Sequence, residues 1–326
     1  MASVSKVQTY QAVNEQREDL SNIIYDISPT STPFMSNVGR DTADNTYFEW
    51  QTDSLAAANG SNALVEGADA GNTDFTDTNR VANYTQISGK VVAVSGTAQA
   101  VNMAGMRTLL AYNQAKAAKE LKRDMEKILL SNQAASAGNS STARYTAGVP
   151  AWLITNSVAN GATAPTLSSS PNGYPNAAWT NLSTSTDVAL TETMVKTAIQ
   201  NVWAQGGEAK ILMTGPYNKT VASGFAGIAQ QRITYNQVQP AGIIATADVY
   251  LSDFGEVSMV PNRFADERFA LVLDPEYASV AYLRPFETID VAQTGDSIKK
   301  ELVVEYGLRM KAEKAHAAIA NLTPSA

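Results

Sequence analysis

Apolar and small residues recur at three-and-four spacing from Asn102 to Asn132: Met106, Leu109 and Leu110, Asn113, Ala117, Leu121, Met125, then Ile128 and Leu129. That spacing is one face of a helix. The residues between are mostly Ala, Lys, Glu and Leu, with no proline, so intrinsic propensity agrees with the pattern. Asn102 is placed to cap the start, and the period is lost at Ser131-Asn132 before a Ser/Ala/Gly/Asn tract. The predicted rod is about 40 Å long, a spine across a flat subunit. Its polar side carries Lys116, Lys119, Arg123 and Lys127, partly offset by Glu120, Asp124 and Glu126. Such a stripe reads as a solvated face, or as one turned toward a polyanion or an acidic neighbouring subunit.

Before the spine, a mixed helical pattern covers Asn14 to Tyr25, and Pro29 and Pro33 then force extended backbone up to Phe34-Met35. This predicts an extended arm whose apolar end lies on a neighbour or is tied down on its own domain. Residues 40–97 predict a long hairpin, with Tyr47, Phe48 and Trp50 going out and Tyr84, Ile87, Val91, Val92 and Val94 returning. Its tip, Ala56 to Gly71, is rich in Ala, Gly, Asn and Asp. After the spine, Gln133 to Asp187 is poor in charge and dense in small polar residues, with Trp152 and Trp179 as apolar islands; it reads as surface loops or a decorating insertion. A helix is predicted over Thr191–Trp203, a buried strand over Ala209–Met213, and another helix opening at Gly215-Pro216. Strands follow at Val249–Leu251, Val257–Val260 and Ala270–Leu273, and the alternation from Leu302 to Ala312 marks a long half-buried strand.

Composition narrows the function. With 326 residues, 44% hydrophobic and 17% charged, the chain can build one large core or two moderate ones. A net charge of -7 means that any contact with polyanion is local. The absence of cysteine removes disulfides, thiolate metal sites and cysteine nucleophiles. The start, Met1 to Gln8, is polar, and no apolar run approaches a membrane span; a soluble protein without a membrane partner is expected. From Asp41 to Asn79 there are eight acidic residues and no lysine or arginine. Their spacing fits no calcium loop, and an acidic loop laid on a basic patch of a neighbouring subunit fits better.

The search for chemistry yields little. The single histidine, His316, sits among alanines without a nucleophile-elbow serine motif, so a surface or packing role is the simpler reading and a hydrolase using it is the alternative from another class. No phosphate-binding loop is present: Gly89-Lys90 lacks the spaced glycine, and Gly224-Phe225-Ala226-Gly227 lacks a strand–turn–helix context. The carboxylate pairs Asp266/Glu267 and Asp274/Glu276 fall at turns, where acids are expected anyway. No enzyme, metal or cofactor is expected. A secreted adhesin is disfavoured by the missing signal and the central helix.

The order of parts (arm, long hairpin, spine helix, α/β region, long terminal strand) resembles the major capsid protein of tailed bacteriophages, an α+β fold of the Hong Kong 97 type. The resemblance is carried by Asp26-Ile27-Ser28-Pro29 with Thr32-Pro33-Phe34, Gly255-Glu256-Val257, Val260-Pro261-Asn262-Arg263, Leu273-Asp274-Pro275, Leu283-Arg284-Pro285-Phe286, Thr294 to Lys299 and Glu305-Tyr306-Gly307-Leu308. It implies an N-terminal arm over 1–39, an extended loop over 40–90, a peripheral domain with the spine and the low-charge insertion over 91–190, an axial domain over 191–290, and returning strands over 291–326. Pentamers and hexamers would close an icosahedral virion capsid, assembled in the bacterial cytoplasm around double-stranded DNA. Phe34, Trp50, Glu66 and Asp69 would contact neighbouring subunits, and Lys116, Lys119, Arg123 and Lys127 would line the inner face. The loop has no lysine for the isopeptide cross-link of the founding member, Lys90 at its base being the nearest, so a non-covalent shell is implied. The arm begins almost at Met1, which implies a separate scaffolding protein or processing already completed; portal and decoration proteins would complete the set. An encapsulin-type compartment shares the fold and is the closest alternative.

Overall fold

The computed structural model describes residues 29–67, 77–101, 108–183, 186–225 and 249–325, together with residues 69, 71 and 75. The helix expected over Asn14 to Tyr25, and Asn102 and Met106 of the spine, lie outside them.

The spine helix runs Leu109–Leu129, about 31 Å at the usual rise. It opens after Thr108, whose extended backbone occupies the cap position expected of Asn102. Ala117, Leu121, Met125 and Leu129 are buried, as the periodicity requires. They press on a four-stranded sheet whose order is Gly39–Thr42, Ala278–Val291, Ser297–Met310 and Gln86–Ser95. In the edge strand Gln86–Ser95, Val92 and Val94 face the helix and are buried, while Ile87 and Val91 point the other way and are exposed. The sheet therefore has one covered face and one largely open face.

The hairpin forms between Tyr47–Thr52 and Asn79–Tyr84, paired antiparallel. It does not continue to residue 97 as a single ladder. At Thr85 the returning chain changes sheets: its N–H donates to the Thr46 carbonyl (2.8 Å), and its hydroxyl to Glu305 Oε1 (2.8 Å) in the strand Ser297–Met310. From Gln86 onward the chain pairs with that strand instead. The corner is tight. A Cβ at Gly307 would fall 2.5 Å from the Phe48 ring, so only glycine fits where the hairpin crosses the sheet.

A six-stranded sheet holds the second core, in the order Ser157–Val158, Ala317–Ile319, Ala270–Leu273, Ile211–Thr214, Gly255–Pro261 and Val249–Ser252. The helix Glu192–Ala204 packs on it, with Thr191 capping its start through Met194 N–H (3.4 Å). Pro216 opens the helix Pro216–Ser223, as expected.

Two expectations change. The segment after the spine is not merely surface decoration: Trp152 and Trp179 are buried, the Trp179 indole N–H donates to the Pro150 carbonyl (2.8 Å), and Trp152 lies 5.3 Å from Trp50. Two large aromatics bury enough area to fold a low-charge tract into the core. Its later part adds the strands Asn172–Pro175 and Leu167–Ser169 to the hairpin sheet. The second change is the strand Ala278–Val291, which was not anticipated. Pro285 and register shifts between Tyr282 and Glu287 break its alternation, hiding a strand that its partners enforce.

Arm, spine and six-stranded sheet meet at one buried carboxylate. Glu126 Oε1 accepts the N–H of Phe34 (2.6 Å) and the amide of Asn262 (2.7 Å), and Oε2 accepts the N–H of Met35 (2.9 Å). Burial raises its pKa, and these three donors oppose that rise. Glu126→Ala would strand these three donors, two of them buried, so it is expected to cost about 2–4 kcal/mol, read by denaturant unfolding of the unassembled subunit. A loss within experimental error would show that the junction is held by packing alone.

Candidate functional site

The expected contact residues divide. Phe34 is fully buried in its own subunit, at the start of the short helix Pro33–Asn37. Its side chain is not available to a neighbour, which corrects that expectation. The arm is fastened here because an apolar ring after two prolines has a core to enter and Glu126 to accept its backbone N–H. Trp50 is half-buried and also engaged at home: its indole N–H donates to the Met310 carbonyl (2.9 Å), and its ring stacks with Phe48 at 5.8 Å. The rest of its ring stays open to solvent, so its expected contact with a neighbour belongs to the proposal below.

Glu66 and Asp69 are exposed, on a tip without regular structure. Around them Leu55, Leu64, Val65 and Phe75 are also almost wholly exposed, a concentration of apolar side chains that a lone subunit leaves in water. Sequence reasoning saw the charge of this loop but not its apolar members, which Ala, Gly and Asn separate.

On the spine, Lys116, Lys119 and Lys127 are exposed on the side away from the buried face. Arg123 is half-buried, its guanidinium 5.6 Å from the centre of the Phe264 ring, so the solvent-facing stripe is the three lysines. Lys90 at the loop base is held by Glu120 (3.2 Å) and Asp124 (2.9 Å). Burial pulls its pKa down, but the two carboxylates outweigh it and the net shift is upward. A protonated, paired amine is a poor nucleophile for a cross-link.

Sequence reasoning missed a third feature, the buried Glu305. Its Oε1 takes Arg144 and the Thr85 hydroxyl (2.8 Å), and its Oε2 takes Arg284 Nε (2.9 Å). Arg144 Nε also donates to the Thr85 carbonyl (2.7 Å). Beside Arg144 the turn 137–143 and Ile87 enclose a hollow of about 400 Å³. In the sequence the signal is faint: one acidic residue interrupting an otherwise apolar run in the long strand.

The catalytic reading fails on geometry. His316 is fully buried, its Nδ1 accepting the backbone N–H of Asp274 (3.1 Å). The Asp274 carboxylate instead accepts the Glu276 N–H and pairs with Lys210 (3.3 Å). Asp266 accepts the N–H of Arg268 (3.0 Å), the turn role expected of it, while Glu267 accepts the N–H of Tyr217 (3.2 Å) in the first turn of the helix Pro216–Ser223. Among the described residues no cluster of three metal-ligating side chains occurs, and no helix is long and apolar enough to cross a membrane.

This architecture, with an anchored arm, a projecting loop, a spine helix on a long-stranded sheet and a second α/β sheet, is the capsid fold of the Hong Kong 97 type. A structure from cyanophage A-1(L), its capsid asymmetric unit, superposes with a TM-score of 0.67 at 13% identity, over 97% of this chain and 98% of the other. One from Gordonia phage Cozz gives 0.60 at 11% identity, over 95% and 92%. The chain belongs to the SU10 major capsid protein family, whose model matches residues 5–323. It is 45% identical over 121 residues to the major capsid protein of Escherichia phage Phieco32, a match that spans 37% of this chain and 34% of that protein. The chain is thus a structural capsid protein of a phage, not an enzyme.

His316 carries a pH dependence. Burial lowers its pKa from 6.5 to about 4, against the pull of the Tyr277 carbonyl and Asp274. The unfolded chain takes up this proton near pH 6.5 and the folded one near 4. The stability is therefore complete above about 6.5 and drains away as the pH falls to about 4, by roughly 3 kcal/mol. His316→Asn, which keeps an acceptor for Asp274 N–H, is expected to flatten that part of the stability–pH curve. An unchanged curve would mean that the ring takes up its proton in the folded state at the same pH as in the unfolded chain.

Proposed function

We propose that this capsid protein assembles as pentamers and hexamers into a closed icosahedral shell around double-stranded DNA, held by non-covalent contacts. The observation that carries this reading is the loop between Thr52 and Asn79, which joins acidic residues without a basic one to exposed Leu55, Leu64, Val65 and Phe75. Such a segment reaches its lowest free energy only against another subunit, where apolar burial gives affinity and charge gives register. Many modest contacts of this kind, repeated around a closed shell, add up to strong avidity.

The division into arm, loop, peripheral and axial regions supports the same reading. The six-stranded sheet would stand at the five-fold and six-fold axes, and the spine would face inward. Lys116, Lys119 and Lys127 would then meet packaged DNA through a non-specific contact that weakens with salt. Scaffolding and portal proteins are the partners of such an assembly, and decoration proteins an optional third. The particle is built in the host cytoplasm.

Deleting Ala56 to Gly71 is expected to leave a folded subunit that forms no closed particles, read by sedimentation velocity with circular dichroism as the control. Closed particles from the deleted chain would show that the loop does not hold the shell.

A further inference from the structure

We propose that Asn59 is a self-modification site: the Gly60 main-chain nitrogen attacks its side-chain amide, leaving aspartate or isoaspartate in the loop. The chain has three Asn-Gly pairs, Asn59-Gly60, Asn160-Gly161 and Asn172-Gly173. Glycine favours this reaction because it has no Cβ to shield its nitrogen or to restrict the turn that the attack requires. How far each pair reacts depends on how its asparagine is held, and the fold holds the three differently.

Two of them are restrained. Asn172 Oδ1 accepts the N–H of Arg80 (2.7 Å) across the sheet, and the pair opens the strand Asn172–Pro175. A Cβ at Gly173 would collide with Ser168 Oγ, so the backbone there has little room to swing. Asn160 donates its amide to the Ala320 carbonyl (2.9 Å), and its own carbonyl accepts the Asn321 amide (2.9 Å). Ala320 and Asn321 are fully buried, so this turn is tied to the core.

Asn59 is held the opposite way. Asn59, Gly60 and Ser61 are all exposed, in a stretch without helix or strand. Gly60 has open space where a Cβ would stand, and among the described residues nothing accepts its N–H. The turn is ordered by the Ser61 N–H, which donates to Asn59 Oδ1 at 2.9 Å. That bond folds the side chain back over the peptide that attacks it. It also puts a donor on the oxygen that gains charge in the attack.

The chemistry needs only base and water. The Gly60 nitrogen loses its proton and bonds to Asn59 Cγ; the Cγ–Nδ2 bond breaks and the amide leaves as ammonia. Water then opens the five-membered imide at either carbonyl. Opening at Cγ gives aspartate, and opening at the main-chain carbonyl gives isoaspartate, with one extra carbon in the main chain. Either product adds a negative charge to a stretch, Asp41 to Asn79, that has no lysine or arginine. The consequence for assembly rests on the shell reading above: an unassembled subunit loses competence as its loop ages.

The test keeps the full-length subunit in mildly alkaline buffer made with heavy-oxygen water, then maps its peptides by mass spectrometry. Each new carboxylate carries one heavy oxygen. Label is expected at Asn59 well ahead of Asn160 and Asn172, faster as the pH rises, and at all three in denaturant. Gly60→Ala, which the open space accepts, should slow the labelling severalfold or more with unchanged circular dichroism. Label led by Asn160 or Asn172 in the folded subunit, or an Asn59 that converts only in denaturant, would overturn the site. Unaltered subunits aged before assembly should lose particle yield, and Gly60→Ala subunits should keep it; equal losses would overturn the consequence for assembly. If fresh subunits formed no particles even with a scaffolding protein, the shell reading would fall and that consequence with it, while the peptide map would still decide the site.

Discussion

Glu305 is buried where four segments meet, and the geometry of the subunit turns on it. It holds the Thr85 hydroxyl at the point where the returning loop strand changes sheets, Arg144 from the segment after the spine, and Arg284 from the neighbouring long strand. A buried carboxylate is costly unless it is paired and its lone pairs are filled. Here both oxygens are filled, so the four segments are fixed relative to one another. That fixes the direction in which the hairpin leaves the body.

Much of this was legible in the sequence where periodicity was strong. The spine, the hairpin, the helices Glu192–Ala204 and Pro216–Ser223, and the long strand Ser297–Met310 follow from spacing and caps. The strand Ala278–Val291 was hidden by Pro285 and its bulges, because pairing on both sides overrides local pattern. Trp152 and Trp179 marked the core of the low-charge tract, but composition outweighed them. At the surface, charge was visible and burial was not. For Phe34 a neighbour and its own domain both stayed open as partners, because nothing in sequence tells a ring that meets a neighbour from one that meets its own core. Glu126 looked like one more member of a mixed helix face, though it receives Phe34, Met35 and Asn262.

The two buried carboxylates divide the work of the subunit. Glu126 ties the arm and the six-stranded sheet to the spine, making a rigid body. Glu305 aims a segment that has no core of its own. A rigid body with a projecting loop that exposes Leu55, Leu64, Val65 and Phe75 leaves apolar surface that a lone subunit does not cover. Contact between copies of one chain closes into rings when the rotation between them permits.

The most direct test of that account is electron microscopy of the purified protein, alone and co-expressed with a scaffolding protein. Closed icosahedral particles, or rings of five and six subunits, are the predicted result. A protein that stays monomeric at high concentration in both cases would contradict it.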